Sequence, residues 1–406
     1  MVRIDATTPQ CYIYLLLTQT RHCVLGGRLI SLKQDSSHLH YRASWPKTTS
    51  NLLTPPASVP PGSPSPTAGS DSDSKEDDTA SLLHSYFALS LSVASLYKQW
   101  AASDANFARR APAFTGIRIL NQPAWEALVA FICSSNNNIS RISQMVQKLC
   151  IHYGPYVATI EGEPFHDFPG PEALSGDQVE AHLRQLGFGY RARYIAETAR
   201  MVSSEKPAGW LRQLRNPACP AVGEAITTTT TATIKLEPND TPKDVIKSER
   251  VSNTSPTPTP PTETANQQEQ PTYRAAHEAL LTLPGVGPKV SDCVCLMGLG
   301  WWEAVPVDTH VWQIAQRDYG FGKGAKGSKT FTKTMHDAVG DHFRGIWGAH
   351  AGWAQSVLFT ANLKAFKGQA GGGGGGGGAV VPGGEEGKRG WSRWRRRRCG
   401  RRPLRW

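Results

Sequence analysis

Between residues 81 and 366 apolar side chains recur every three or four positions, the spacing that gathers them on one face of a helix. The pattern predicts helices at 123–134, 139–153, 176–186, 192–203, 273–281 and 289–299, and a further one in HVWQIAQRDY from His310. Ahead of this block, residues 12–41 hold short β-prone runs (YIYLLLT, CVL, RLISL, LHY) with Gly26-Gly27 between two of them, which predicts a few antiparallel strands. The expected fold class is therefore α+β: an incomplete N-terminal antiparallel β-sheet followed by a mostly α-helical region.

Three stretches break the pattern. Residues 46–80 are rich in Pro and Ser and end in DSDSKEDD, a composition that buries too little apolar surface to fold. Residues 217–271 form a Thr/Pro-rich insertion inside the helical block. It carries two ΨKxE patterns, at Lys235 and Lys247, that suit a SUMO-like modifier and are short enough to arise by chance. Residues 367–406 are a run of glycines and then a basic tail. The expected organisation is thus a partial β domain (1–45), a linker (46–80), a first helical part (81–216), the insertion (217–271), a second helical part (272–366) and the tail (367–406).

Composition adds limits more than identity. The net charge is +11, but residues 383–406 alone hold ten Lys/Arg against two Glu, so the charge describes the tail and not the folded part. That tail reads as an aid to DNA affinity, as a nuclear signal, or as an artefact of the gene model. The eight cysteines show no paired framework and no CxxC, and only Cys399 follows the helical block, which excludes a four-cysteine iron–sulfur loop there. No metal or other cofactor is implied. The longest apolar run, near residues 12–17, is too short to span a bilayer, and the N-terminus lacks a secretory or transit pattern. A soluble, intracellular, nuclear protein is expected, with a mitochondrial form left open.

The candidate chemistry lies in the second helical part. Leu283-Pro284-Gly285-Val286-Gly287-Pro288-Lys289 sits between two predicted helices, and two glycines in a tight turn let backbone N–H groups approach a phosphate beside a helix N-terminus. This is a helix-hairpin-helix, a device that also serves as a plain DNA clamp. Lys289, in the first turn of the second helix, reads either as a phosphate-binding lysine or as an amine kept partly neutral by the helix field. Nineteen residues on, Val305-Pro306-Val307-Asp308-Thr309-His310 places Asp308 before a helix, where the plain reading is an N-cap.

The pair changes the reading. LPGVGPK, an apolar helix and then VPVDTH resemble the helix-hairpin-helix DNA glycosylase superfamily, whose lysine-bearing members cleave both base and backbone. FICSSNNNISRI, LGFGYRARYI, SDCVCLMGL, HVWQIAQRDYG and GWAQSVLF narrow the resemblance to the eukaryotic 8-oxoguanine DNA glycosylases, over most of residues 81–363 outside the insertion. The resemblance implies that Lys289 attacks C1′ of the target nucleotide and that Asp308 stabilises positive charge on the sugar. It implies that Asn136 and Arg141, helped by Arg191, read the cytosine left behind, and that Tyr190 wedges into the duplex. Cys293, Met297 and Phe359 would wall the base pocket and Gln355 would read the base edge; Lys289, Cys293 and Met297, four apart, share a helix face. His310, Gly285 and Gly287 would hold phosphates. The expected partner is duplex DNA containing oxidised guanine, bound by a monomer.

Two departures from that family stand out. Its Gly-x-x-Phe-Arg-Trp strand, whose glycine carbonyl senses the N7 hydrogen of the oxidised base, is not found, and Gly26-Gly27-Arg28 is no substitute; the start of the chain reads as truncated or mis-spliced. Asn362 also stands where an aspartate is usual. A lysine-dependent glycosylase for other damaged bases, and a catalytically impaired or inactive helix-hairpin-helix DNA-binding protein, are the rival readings.

Overall fold

The computed structural model describes residues 20–35, 38–46, 77–219, 270–322 and 332–363. The run YIYLLLT, most of the linker, the insertion with Lys235 and Lys247, and the tail lie outside the described residues.

Three strands come first: β1 (Arg21–Leu25), β2 (Arg28–Gln34) and β3 (Leu39–Ser44) form an antiparallel sheet in the order β1-β2-β3. Gly26 and Gly27, at φ +61° and +73°, make the two-residue connection between β1 and β2, a backbone that residues with a Cβ adopt only at a cost. Leu25, Ile30 and Leu32 point from the sheet onto α1 (Thr79–Tyr86), where they pack with Leu82, Leu83, Phe87 and Leu120 as a small core. The sheet is tied to the body at three places. Arg28 bonds Asp78 and the Thr79 hydroxyl, the Gly27 amide donates to Asp167 Oδ2 at 2.8 Å, and His22 meets the edge of Phe165.

The body is helical, as the periodicity predicts. α2 (Val93–Ser103) and α3 (Ala105–Arg110) lead to α4 (Ala124–Ser134) and α5 (Ile139–Tyr153). α6 (Val179–Gln185), α7 (Arg191–Arg200) and the single turn α8 (Trp210–Gln213) follow. After the insertion come α9 (Tyr273–Leu281), α10 (Pro288–Gly298), α11 (Thr309–Tyr319), α12 (Lys333–Trp347) and α13 (Ala351–Asn362). The 176–186 expectation shrinks to α6, because the chain before Val179 takes turns. In place of 192–203 the helix α7 starts one residue earlier than expected, at Arg191, and passes into a wider turn at Met201–Glu205. One feature was not expected: β4 (Tyr156–Ile160) and β5 (Glu163–His166) form a hairpin inside the helical block, closed by Glu161 and Gly162 at positive φ.

α4, α10 and α13 are buried nearly all round and lie at the centre, with Ala127–Cys133, Val290–Gly298 and most of α13 buried. α10 approaches α4 so closely that a Cβ on Gly298 would lie 3.1 Å from both Ala124 Cα and Ala127 Cβ. The second hairpin helix is thereby fixed to the middle of the molecule.

Candidate active site

The turn between α9 and α10 is short and rigid. Gly285 holds φ +76°, Val286 N–H donates to Leu283 O, and Pro288 opens α10, where its missing N–H costs nothing. Gly287 is different from what two glycines in one turn suggest. Its backbone is extended, a Cβ there would meet nothing within 4 Å, and the space beside the first turn of α10 stays open.

Lys289 follows at once. Its Nζ lies 5.1 Å from the centroid of the Phe131 ring, on α4, and its amine hydrogen-bonds the Cys293 thiol one turn along α10. Burial pushes the Cys293 thiol up to about 11, against the opposing pull of the Lys289 charge and hydrogen bond, so Cys293 is a neutral thiol near pH 7. Asp308 adds to that upward push, which places its carboxylate within electrostatic reach of the same spot. Asp308 is also the N-cap of α11: Oδ1 accepts the amides of His310 and Val311, each at 2.9 Å, and among the described residues Oδ2 makes no hydrogen bond. The N-cap thus uses one oxygen of the side chain, Oδ1.

Met297 and Gln355 are each 3% exposed, and Met297 is held by its carbonyl, which accepts Gln122 N–H at 2.7 Å. Phe359, one turn after Gln355 on α13, is half-buried and takes the His310 ring edge-on, with centroids 5.8 Å apart.

A second group forms where α4 gives way to α5. The three asparagines divide their work. Asn138 caps α5, accepting Arg141 N–H at 3.0 Å; Asn137 donates back to Cys133 O at 2.9 Å; Asn136 alone holds a left-handed backbone, φ +46°, with its side chain exposed. Arg141 donates to Gly187 O at 3.1 Å. Tyr190, 47% exposed, donates its hydroxyl to Ser135 O at 3.0 Å, and the Arg191 guanidinium stacks 4.5 Å over its ring. Arg191 itself is buried and donates to the carbonyls of Ser135 and Asn136, so here it props the asparagine loop from beneath. Asn136, Arg141 and Tyr190 are thus exposed close together, with Arg191 buried beneath them. Asn362 accepts from Arg317 at 3.0 Å, so a neutral acceptor serves the arginine that also pairs with Asp318.

Phe131, under the lysine, and Tyr194, against the hairpin, were missed by sequence reasoning. So was Asp292, buried in α10, where it accepts from Tyr273 (2.6 Å) and His277 (2.7 Å) and faces His336 (3.3 Å). For Tyr194 the signal was available, four residues after Tyr190; for Asp292 it was not, because its partners come from α9 and α12.

Residues 7–128 match the family model of the 8-oxoguanine DNA glycosylase N-terminal domain, and residues 129–337 that of the HhH-GPD superfamily base excision DNA repair proteins. The chain is 37% identical over 308 residues to a Saccharomyces cerevisiae N-glycosylase/DNA lyase, covering 72% of this chain and 69% of that protein. It is 35% identical over 280 residues to an Arabidopsis thaliana N-glycosylase/DNA lyase, covering 68% of this chain and 60% of that protein. In fold it is similar to the Clostridium acetobutylicum 8-oxoguanine glycosylase/lyase solved with double-stranded DNA containing cytosine opposite 8-oxoguanine. The TM-score is 0.56 at 18% identity, over 88% of this chain and 89% of that one.

Proposed function

On the premise that the chain belongs to the 8-oxoguanine DNA glycosylase family of the HhH-GPD base excision repair superfamily, we propose that it removes 8-oxoguanine opposite cytosine and then nicks the strand, with Lys289 as the attacking amine. The observation that carries the reading is the placement of one lysine in the first turn of α10. It lies over Phe131 and on the Cys293 thiol, and the Asp308 charge is felt at that same thiol.

The steps follow from that placement. The open space beside Gly287 admits a phosphate to the N-terminal amides of α10, and His310 takes a neighbouring one. The target nucleotide leaves the stack, and Tyr190 fills its place while Asn136 and Arg141 bond the widowed cytosine. The extruded base enters between Cys293 and Phe359, with Gln355 at its edge. Lys289, in its neutral form, forms a bond to C1′ as the glycosidic bond breaks and its electron pair leaves with the base. Positive charge on the sugar is largest in the transition state, where a fixed carboxylate such as Asp308 Oδ2 stabilises it most. Ring opening gives an iminium between Nζ and C1′, which acidifies C2′. Loss of that proton expels the 3′ phosphate by β-elimination, and hydrolysis of the imine frees Lys289.

The test is base release and strand cleavage by the full chain on duplexes carrying 8-oxoguanine opposite each of the four bases. Release fastest opposite cytosine is expected; release from none of the four contradicts the reading.

A further inference from the structure

Beyond the residues assigned above lies a contact that joins the two halves of the site. Tyr190 is the N-cap of α7, which opens on Arg191 and places Tyr194 and Thr198, four apart, along one face. Both reach the hairpin turn. The Thr198 hydroxyl, fully buried, donates to Pro284 O at 3.1 Å. The Tyr194 side chain lies against Gly285, so close that a Cβ on that glycine would sit 2.7 Å from ring Cγ and Cδ2. The ring also meets Tyr190 edge-on, with centroids 5.8 Å apart and planes at 72°. Tyr190 in turn bonds Ser135 O, next to Asn136.

We propose that Tyr194 is a positioning residue for strand opening: its ring fixes the distance between the phosphate-gripping turn at Gly285 and the wedge Tyr190. The inference rests on the reading of Tyr190 as the wedge. A gripped phosphate anchors the duplex at Gly285, and a wedge tied to that point through one rigid ring enters the stack in register with the bound strand. Only the ring is needed, since among the described residues the Tyr194 hydroxyl makes no hydrogen bond. A flexible side chain of similar size lets the wedge drift while leaving Lys289 and Asp308 where they are.

The experiment compares the full-length wild type with Tyr194→Phe, Tyr194→Leu and Thr198→Val. Two duplexes are used: 8-oxoguanine opposite cytosine with 2-aminopurine as the neighbouring base, and an abasic site opposite cytosine. Single-turnover base release and 2-aminopurine fluorescence report extrusion and wedging, and borohydride trapping on the abasic duplex reports Lys289 where no base needs extruding. Tyr194→Phe is expected to match the wild type. Tyr194→Leu is expected to lose about 100-fold in base release, the scale of a 1 Å misplacement, together with the fluorescence rise, while abasic trapping stays within about threefold. Thr198→Val, which cuts only the bond to Pro284, is expected to move the same two readouts in the same direction, and it carries the test where Tyr194→Leu fails to fold. Wild-type release and fluorescence in Tyr194→Leu overturn the proposal, and so do equal losses on both duplexes. A wild type that releases no base contradicts the site reading itself, which the control separates from failure of this inference.

Discussion

At the scale of single residues, Asp308 shows how far a sequence can be read. Its position before a helix gave the N-cap, and the N-cap is present, bonded through Oδ1. The resemblance gave the second role, which needs the charge. Asp308→Asn separates the two, because asparagine caps as well as aspartate. The expected result is an unchanged melting temperature with base release down by about 100-fold or more, the cost of losing one preorganised electrostatic group. Unchanged release in that variant would reduce Asp308 to a cap. Glu126, in the first turn of α4, carries a prediction no motif announces. Burial, and then the nearby Asp167 charge, raise its carboxyl from 4.5 to about 7. The folded state therefore holds a proton there that the unfolded chain has already released, so stability falls as pH rises from about 4.5 to about 7 and stays low above. Glu126→Gln is expected to flatten that slope and to raise stability at pH 8 by on the order of 2 kcal/mol, read by urea unfolding at several pH values. The asparagine run was legible as polar. Its division into an exposed side chain, a back-bond and a cap was not, because that depends on a left-handed turn at Asn136 that sequence spacing leaves open.

At the scale of elements, the two hairpin helices were legible because both carry strong periodicity and stop signals. What fixes their crossing was not. Asp292 is 1% exposed and joins α9, α10 and α12 through Tyr273, His277 and His336, an arrangement only the fold brings together. Removing the acceptor takes away the partner of two buried donors, the Tyr273 hydroxyl and the His277 ring. Asp292→Ala is expected to cost about 3–5 kcal/mol, the usual loss when one partner of a buried polar cluster goes. A loss below about 1 kcal/mol in urea unfolding would mean that packing alone sets the crossing. The hairpin β4–β5 escaped notice because its strands are short and the helical block around it dominates the pattern. Its Glu161-Gly162 turn was the only local sign.

At the scale of the whole molecule, the sheet and the helical body have separate cores, joined by Arg28, Gly27 and His22 on one side and by Asp78, Asp167 and Phe165 on the other. The α+β architecture was legible from the change of period between residues 41 and 81; the docking of the sheet was not, since it depends on single polar contacts far apart in the chain. Among the described strands none carries Gly-x-x-Phe-Arg-Trp. Chemistry at Lys289 remains the central claim, and borohydride trapping tests it most directly. The full chain is incubated with a duplex containing 8-oxoguanine opposite cytosine, an abasic duplex and an undamaged duplex, beside Lys289→Gln. A covalent protein–DNA adduct on the first two, absent from the undamaged duplex and from Lys289→Gln, is the predicted result. An adduct that persists in Lys289→Gln, or none with the wild type on either damaged duplex, contradicts it.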